Sequence, residues 1–252
     1  MYMRLVRIKV KMDGLQGLVS NYESRVIPTL RLVHGCRYAG LMQSVLHPDQ
    51  CLSLTMWNAQ SDAEAYEESG VFASLLDELK PYFLESSEFQ IRLSENLTLE
   101  YAPIPEEPVV SVMPVTASNT GQQHSGGARW LRIVALKIRP GKVEEFRQIY
   151  VDQVIPALRD VPGCRYIYLT EDPAKPNEVI SITSWDSEQD AKKYEQSGLF
   201  QKLLESQKDL LTDLYQWKRE QEKDHVSRVA TSDDLMVEQY TVLTGKDFNP
   251  TS

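Results

Sequence analysis

An internal repeat is the feature of this sequence that most constrains its fold. When the chain is displaced by 128 residues against itself, 4–80 align with 132–208 without a gap, and 29 of the 77 aligned positions are identical. Trp57, for example, recurs as Trp185. A period this long is typical of duplicated domains, because the units of solenoid proteins run from about 20 to 50 residues. The repeat therefore predicts two domains of one fold in a single chain.

The residues between the two copies differ in composition from either copy. They begin with prolines and end rich in glycine, serine and glutamine, which is typical of a linker. The apolar run Val109–Met113 inside this segment could add a strand to either copy. The predicted organisation is a first domain at 1–101, a linker at 102–128, a second domain at 129–245 and a C-terminal tail at 246–252.

Composition and charge narrow the choice of partners and compartment. The chain has a formal net charge of -9 and no cluster of lysine and arginine, which argues against nucleic acid as a partner. No apolar run approaches the ~18 residues needed to cross a bilayer, and the N-terminus lacks the apolar core of a signal peptide. Its three cysteines, Cys36, Cys51 and Cys164, are unlike a disulfide framework and suit a reducing compartment. We therefore predict a cytoplasmic protein without a membrane partner.

Each copy begins with the pattern of a strand followed by a helix. Apolar residues alternate at 4–11 and 132–139, which indicates a first strand, and apolar residues at helical spacing come next. Pro28 and Pro156 are expected to kink or close this helix near its end.

A hairpin and a second helix complete the pattern of each copy. Gly35 and Gly163 are expected to turn the chain into two consecutive strands. The second helix is predicted to begin at Ser61-x-x-Glu64 and at Ser187-x-x-Asp190, and to break at the glycine of the following Ser-Gly pair. Fourth strands are predicted near Leu97–Tyr101 and Leu235–Val242.

The order of these elements predicts the fold class. Strand, helix, strand, strand, helix, strand is typical of a ferredoxin-like (βαββαβ) domain, so we predict an α+β protein with two such domains. Helices cover one face of each antiparallel sheet and leave the other face apolar. The two sheets are therefore expected to pack face to face, as a pseudo-dimer within one chain. Pairing of this pseudo-dimer with a further chain is left open.

The residues from the third strand into the second helix carry a family resemblance. In the second copy they are Ser181-x-x-Ser-Trp-Asp-Ser-x-x-Asp-Ala-x-x-Tyr-x-x-Ser-Gly-x-Phe200. This motif resembles the antibiotic biosynthesis monooxygenase domain family, and the resemblance covers nearly all of both copies. It implies the dimeric α+β barrel fold, here formed within one chain. Family members include haem-degrading enzymes and cofactor-free oxygenases that convert anthrones or hydroquinones to quinones, with a site usually between the sheet and the helices.

The haem-degrading branch of that family is not supported by the residues present. The resemblance places its asparagine, tryptophan and histidine at positions that hold other residues in both copies. Those positions are Val6, Tyr66 and Leu76 in the first copy, and Val134, Tyr194 and Leu204 in the second. We therefore expect no haem chemistry and no bound cofactor.

Aromatic and arginine side chains that recur in both copies are the candidates for a ligand pocket. Their rings offer flat stacking surfaces and hydroxyl donors, and a buried guanidinium could hold an enolate or phenolate oxygen. The candidate pocket residues are Tyr22, Trp57, Tyr66, Tyr150, Trp185, Tyr194, Arg37 and Arg165. In the alternative interpretation the rings fill the core, and the arginines, including Arg4 and Arg132, pair with carboxylates at the sheet edge.

No general base, nucleophile or metal site is assigned from the sequence. None of the four histidines recurs in the other copy, and their spacing does not fit a metal site. Cys36 and Cys164 recur without an activating base nearby and are predicted to be small buried residues. The histidines, all expected at the surface, are His34, His47, His124 and His225.

Two functions from different classes fit this sequence. One is a cofactor-independent monooxygenase that takes a small aromatic or quinol-type molecule into a pocket between sheet and helices. The other is a non-catalytic ligand-binding or structural α+β-barrel protein. A cavity with converging polar groups would favour the first, and a fully packed interior would favour the second.

Overall fold

A computed structural model of the chain describes residues 1–93, 99–119, 128–212 and 235–248. The chain divides into two compact units, one for each copy of the repeat. The unit of the first copy comprises Arg4–Ser111 and the residues from Leu243 onward, and the unit of the second comprises Met1–Met3 and Val112–Val242. Both units combine helices with antiparallel strands, so the predicted α+β fold in tandem copies is confirmed.

The first copy follows the predicted order from its first strand to its second helix. In its sheet β3 lies between β1 and β2, and β2 pairs antiparallel with β3. Its elements are β1 (Tyr2–Lys9), α1 (Leu15–Asn21), α2 (Ile27–Leu32), β2 (Cys36–Ser44), β3 (Gln50–Trp57), α3 (Gln60–Glu68) and α4 (Val71–Leu79).

The fourth strand of the first copy differs from the prediction. Leu97 lies outside the described residues, and β5 (Leu99–Pro105) pairs with β4 (Glu85–Leu93) in a separate two-stranded sheet. The hydrogen bonds that would have joined this segment to β1–β3 are thus satisfied by the neighbouring hairpin strand. Beside β1 lies β6 (Val109–Ser118), and beside β2 lies the end of the chain, where the Phe248 N–H donates to the Arg37 carbonyl at 2.7 Å.

The second copy has the predicted fourth strand and one more. Its sheet has the order β10-β7-β9-β8-β6, and β10 pairs antiparallel with β7 so that Gln239 lies opposite Arg132. The additional strand β6 comes from the segment between the copies and pairs with β8. The elements are β6 (Val109–Ser118), β7 (Trp130–Lys137), α5 (Val143–Ile149), α6 (Ile155–Arg159), β8 (Cys164–Glu171), β9 (Glu178–Trp185), α7 (Glu188–Gln196), α8 (Leu199–Glu205) and β10 (Leu235–Asp247).

A π-helical turn interrupts the first helix of each copy. It occupies Tyr22–Val26 between α1 and α2, and the Ile27 N–H donates to the Tyr22 carbonyl five residues earlier. Tyr150–Val154 forms the same turn between α5 and α6. Each proline therefore enters the first turn after the bulge, where a missing N–H is tolerated. Pro28 and Pro156 lie near the end of this helix as expected, and they do not close it, because α2 continues to Leu32 and α6 to Arg159.

The second helix of each copy begins and breaks at defined residues. In the second copy the Ser187 hydroxyl accepts from the Asp190 N–H, which confirms the predicted cap. In the first copy the predicted cap at Ser61 was wrong, because α3 begins one residue earlier and Asp62 accepts from the Ala59 N–H at 3.1 Å. Gly70 has φ +77° and separates α3 from α4, as expected.

The helices bury their apolar faces against the sheet. Leu18, Tyr22 and Leu30 are buried on the first helix of the first copy, at the spacing of one helix face. No helix within the described part of the chain is long and apolar enough to cross a membrane.

Candidate functional site

Each copy encloses a small cavity between its sheet and its helices. Both cavities have a volume of about 40 Å³ and mostly apolar walls. One water needs roughly 10–15 Å³, so each cavity has room for only a few waters. The same five polar residues occur in each wall: Arg4, Tyr22, Ser53, Thr55 and Tyr66 in the first copy, and Arg132, Tyr150, Ser181, Thr183 and Tyr194 in the second.

A tyrosine on the π-helical turn bonds to the middle strand of each sheet. The Tyr22 hydroxyl lies 2.8 Å from the Ser53 hydroxyl and donates to the Gly40 carbonyl at 3.2 Å. Ser53 and Thr55 are two residues apart on β3, so both side chains point to the helix-covered face. Burial raises the pKa of Tyr22 well above its ordinary value. The phenol therefore stays protonated and acts as a hydrogen-bond group, not as a base.

The second pocket tyrosine stacks on a buried tryptophan. Tyr66 and Trp57 have ring centroids 5.1 Å apart, and Tyr194 and Trp185 repeat this distance. The Trp57 indole N–H donates to the Thr55 hydroxyl at 2.9 Å, and its side chain is fully buried. Trp57 and Trp185 therefore lie behind the tyrosines and do not line the cavities.

Arg37 and Arg165, the two arginines predicted for the pocket, also lie away from the cavities. The Arg37 Nε donates to the Asn58 Oδ1, and Arg165 pairs with Asp186. Asn58 and Asp186 directly follow the third strands, so these contacts lie at the ends of the sheets. For Arg165 the structure matches the alternative interpretation, in which the guanidinium pairs with a carboxylate at the sheet edge.

Arg4 is buried at the cavity of the first copy. Only 2% of it is exposed, and its guanidinium carbon lies 3.8 Å from the centroid of the Phe72 ring. The Arg4 Nη2 donates to the Glu67 Oε2 at 3.3 Å, whereas its buried Nε has no hydrogen-bond partner among the described residues. Burial lowers the pKa of Arg4, and nearby Glu67 partly offsets this effect.

Arg132 has the same position in the second copy but a more complete hydrogen-bond environment. Its Nε donates to the Glu195 Oε1 at 2.8 Å, and the Gln239 side chain donates to the same oxygen at 3.0 Å. The guanidinium carbon lies 4.0 Å from the centroid of the Phe200 ring. The two arginines thus share their packing and differ in how their carboxylate is held.

The remaining titratable candidates do not converge on either cavity. His34 is exposed and contacts Asp62 at 3.1 Å, His47 is exposed, and His124 and His225 lie outside the described residues. Burial raises the pKa of both Cys36 and Cys164 to about 12, so neither thiol is a nucleophile near neutral pH. Within the described ranges no three His, Cys, Asp or Glu side chains are grouped so that they could hold a metal ion.

Comparison with known proteins identifies the family. The family model described as antibiotic biosynthesis monooxygenase matches residues 1–77 and 131–206. The chain belongs to the antibiotic biosynthesis monooxygenase family. No curated protein sequence matches this chain.

Solved structures resemble this member of the antibiotic biosynthesis monooxygenase family in fold. A provisionally assigned monooxygenase from Fusobacterium nucleatum has 10% identity and a TM-score of 0.67, covering 98% of this chain and 94% of its own. One from Lactobacillus acidophilus has 8% identity and a TM-score of 0.66, covering 98% and 95%. An anthrone oxidase-like protein has 13% identity and a TM-score of 0.53, covering 98% and 92%. At these identities the likeness shows a shared fold alone.

Four residues of the first site in this family member were not among the pocket candidates predicted from the sequence. Ser53, Thr55, Glu67 and Phe72 are all identical in the second copy, and that identity was the available signal. The alternation of Ser53 and Thr55 along a strand also places them on one face. These residues belong to three different elements, and the structure brings them together because β3, α3 and α4 surround one cavity.

Proposed function

We propose that the chain is a cofactor-independent monooxygenase that oxidises a small quinol- or anthrone-type aromatic molecule in the space between sheet and helices. One observation carries the proposal: a buried guanidinium and two tyrosines meet at an apolar cavity in each copy. Family membership supports the same reaction class.

The chemistry follows from the groups that the cavity provides. A positive guanidinium stabilises an oxyanion in an apolar site, which favours ionisation of a bound phenol or enol. The proton passes to solvent, because the cavity tyrosines are kept protonated by burial. The substrate anion gives one electron to O₂, and the two radicals combine at carbon. For an anthrone-type CH₂ group, one oxygen atom becomes the new carbonyl and the other leaves as water.

Substrate entry requires the site to open. A cavity of about 40 Å³ is smaller than the ~300–1,000 Å³ of sites for drug-sized ligands. α4 supplies Leu75 and Leu79 to the wall, and it follows Gly70, whose positive φ separates it from α3. We propose that α4 moves about this glycine to admit the aromatic ring.

A second candidate function is a non-catalytic ligand-binding or structural protein of the same fold. The small volume of both cavities favours this candidate, because neither cavity in this structure is large enough for an aromatic ring. This candidate predicts that the protein binds a ligand, or has a structural role, without consuming oxygen.

Oxygen uptake separates the two candidates. Purified full-length protein is incubated with a panel of hydroquinones and anthrones, and uptake is recorded beside the entry of ¹⁸O from ¹⁸O₂ into the product carbonyl. Enzyme-dependent uptake that falls at least about 10-fold in the double variant Tyr66→Phe/Tyr194→Phe, which removes a hydrogen-bond donor from each cavity, supports the oxygenase. The single variants serve as matched controls for each copy. Absence of turnover on every panel member overturns the enzymatic proposal and leaves the second candidate.

A further inference from the structure

The buried arginines of the two copies differ in one hydrogen bond. In the second copy the Arg132 Nε–H is used, because it donates to Glu195 at 2.8 Å. In the first copy the Arg4 Nε is buried and has no partner among the described residues. A buried N–H without an acceptor costs about 1–3 kcal/mol, more if it is charged, so this donor calls for an acceptor from outside the chain.

The carboxylate beside Arg4 also neutralises its arginine less than the carboxylate beside Arg132 does. The Glu67 side chain is 54% exposed and contacts the Arg4 Nη2 at 3.3 Å. The Glu195 side chain is 32% exposed and contacts the Arg132 Nε at 2.8 Å. Because water screens an exposed carboxylate more strongly, Arg4 keeps more of its positive potential inside the cavity.

The geometry of the free donor selects the shape of the acceptor. Carboxylates and phosphates prefer two parallel N–H donors from one arginine. One Nη2–H of Arg4 is engaged by Glu67, and Nε is the one guanidinium nitrogen of Arg4 that is buried with no partner among the described residues. A lone oxyanion oxygen matches one donor, and the Tyr66 and Phe72 rings beside the guanidinium match an aromatic ring attached to that oxygen.

We propose that the first copy alone forms a phenolate site, in which the Arg4 Nε–H donates to the ionised hydroxyl oxygen of a small phenol and Glu195 closes the equivalent site of the second copy. The inference rests on the proposed function in that it names the copy and the ionised form of substrate that the oxygenase would use. Gln207, which stands where the first copy has Leu79, further alters the second cavity.

A chromogenic phenol tests this site without any turnover. 4-Nitrophenol absorbs visible light only when ionised, so a titration just below its own pKa reports both binding and ionisation. We expect one phenolate per chain, an increased ionised fraction, and affinity at least about 10-fold weaker in Arg4→Gln. The matched variant Arg132→Gln is expected to retain the bound phenolate. Equal losses in both variants, unchanged binding in Arg4→Gln, binding of the neutral phenol, or no binding by wild type each overturn the proposal.

Two carboxylate variants keep the test decisive if Arg4→Gln does not fold. Glu67→Ala removes an exposed counter-charge and is expected to tighten phenolate binding by about 2- to 5-fold. Glu195→Ala frees the Arg132 Nε and is expected to raise the stoichiometry from one to two. Unchanged or weaker binding in Glu67→Ala, two sites in wild type, or a single site in Glu195→Ala overturns the proposal. A protein that binds phenolate but takes up no oxygen contradicts the oxygenase alone.

Discussion

The two copies share five polar residues around their cavities and do not form the same site. Arg4 and Arg132 occupy one position of the repeat, and so do Glu67 and Glu195. Among the residues that the structure describes, a third residue bonds to the carboxylate only in the second copy, where it is Gln239 on β10. Gln239 lies beyond the aligned segments of the repeat, 4–80 and 132–208, so the contact that distinguishes the sites is not visible in that alignment. Residue identity at an arginine–glutamate pair therefore does not determine how that pair is held.

The largest effects are expected where the copies match most closely. Trp57→Ala and Trp185→Ala should each destabilise their own copy by about 3–5 kcal/mol, because each ring is fully buried, stacked on tyrosine and bonded to threonine. Amide hydrogen exchange, followed on peptides from each copy, measures the two losses separately. A difference of more than about 2 kcal/mol between the variants would show that the cores are not equivalent.

Replacing the two arginines sharpens the comparison at the point where the sites diverge. Arg132→Met removes a short charged hydrogen bond and is expected to cost about 1.5–3 kcal/mol. Arg4→Met also removes a buried N–H that lacks a partner, so its cost is expected to stay below about 1 kcal/mol. Urea unfolding of the two variants provides the measurement. Equal costs would mean that the free Nε of Arg4 carries no penalty.

Alkaline pH should lower the free energy of unfolding of the first copy more than that of the second. The first copy has a buried thiol, Cys51, at a position where the second copy has none. Burial raises the pKa of Cys51 to about 12, and Val179 stands at its place in the second copy. The unfolded chain ionises this thiol from about pH 8.5, so its contribution is complete below that pH and is lost as pH rises towards 12. Cys51→Val should therefore lose about 1–2 kcal/mol less than wild type between pH 8 and pH 10, as measured by urea unfolding. An identical pH dependence would contradict this assignment.

Small effects of equal size are expected from the tyrosines of the π-helical turns. Tyr22→Phe and Tyr150→Phe each remove a hydroxyl that lies 2.8 Å and 2.7 Å, respectively, from a serine hydroxyl. Each should cost about 1 kcal/mol. Thermal unfolding of the two variants, with Ser53→Ala as a control for the other half of the first pair, tests whether these contacts are interchangeable.

Much of the fold could be predicted from the repeat and from apolar periodicity. The first three strands, both helices and the break at Gly70 follow from patterns within each copy. The fourth position of the first sheet could not be predicted, because the Leu99–Pro105 segment has a strand pattern and its partner is chosen by the adjacent hairpin. A helical pattern likewise does not reveal one extra residue in a turn.

The candidate site was predicted only in part. Tyr22, Tyr66 and their counterparts lie at the cavities, whereas the tryptophans and Arg37 have partners elsewhere. Periodicity assigns a ring to the helix-covered side but cannot tell the cavity wall from the layer behind it. Arg4 lines the first cavity and Arg37 does not, and this difference depends on how the strands and helices pack together. The sequence pattern of a single strand does not contain that information.

The π-helical turn in the first helix occurs in both copies of the repeat. Each turn holds one residue more than an α-helix needs, at the same position of both copies. The turn is thus a feature that the two copies of the repeat share. Deleting one residue from Tyr22–Val26 would rotate everything before it by about 100° relative to α2. The direction of the pocket tyrosine towards the sheet therefore depends on the number of residues in this turn as well as on its side chain.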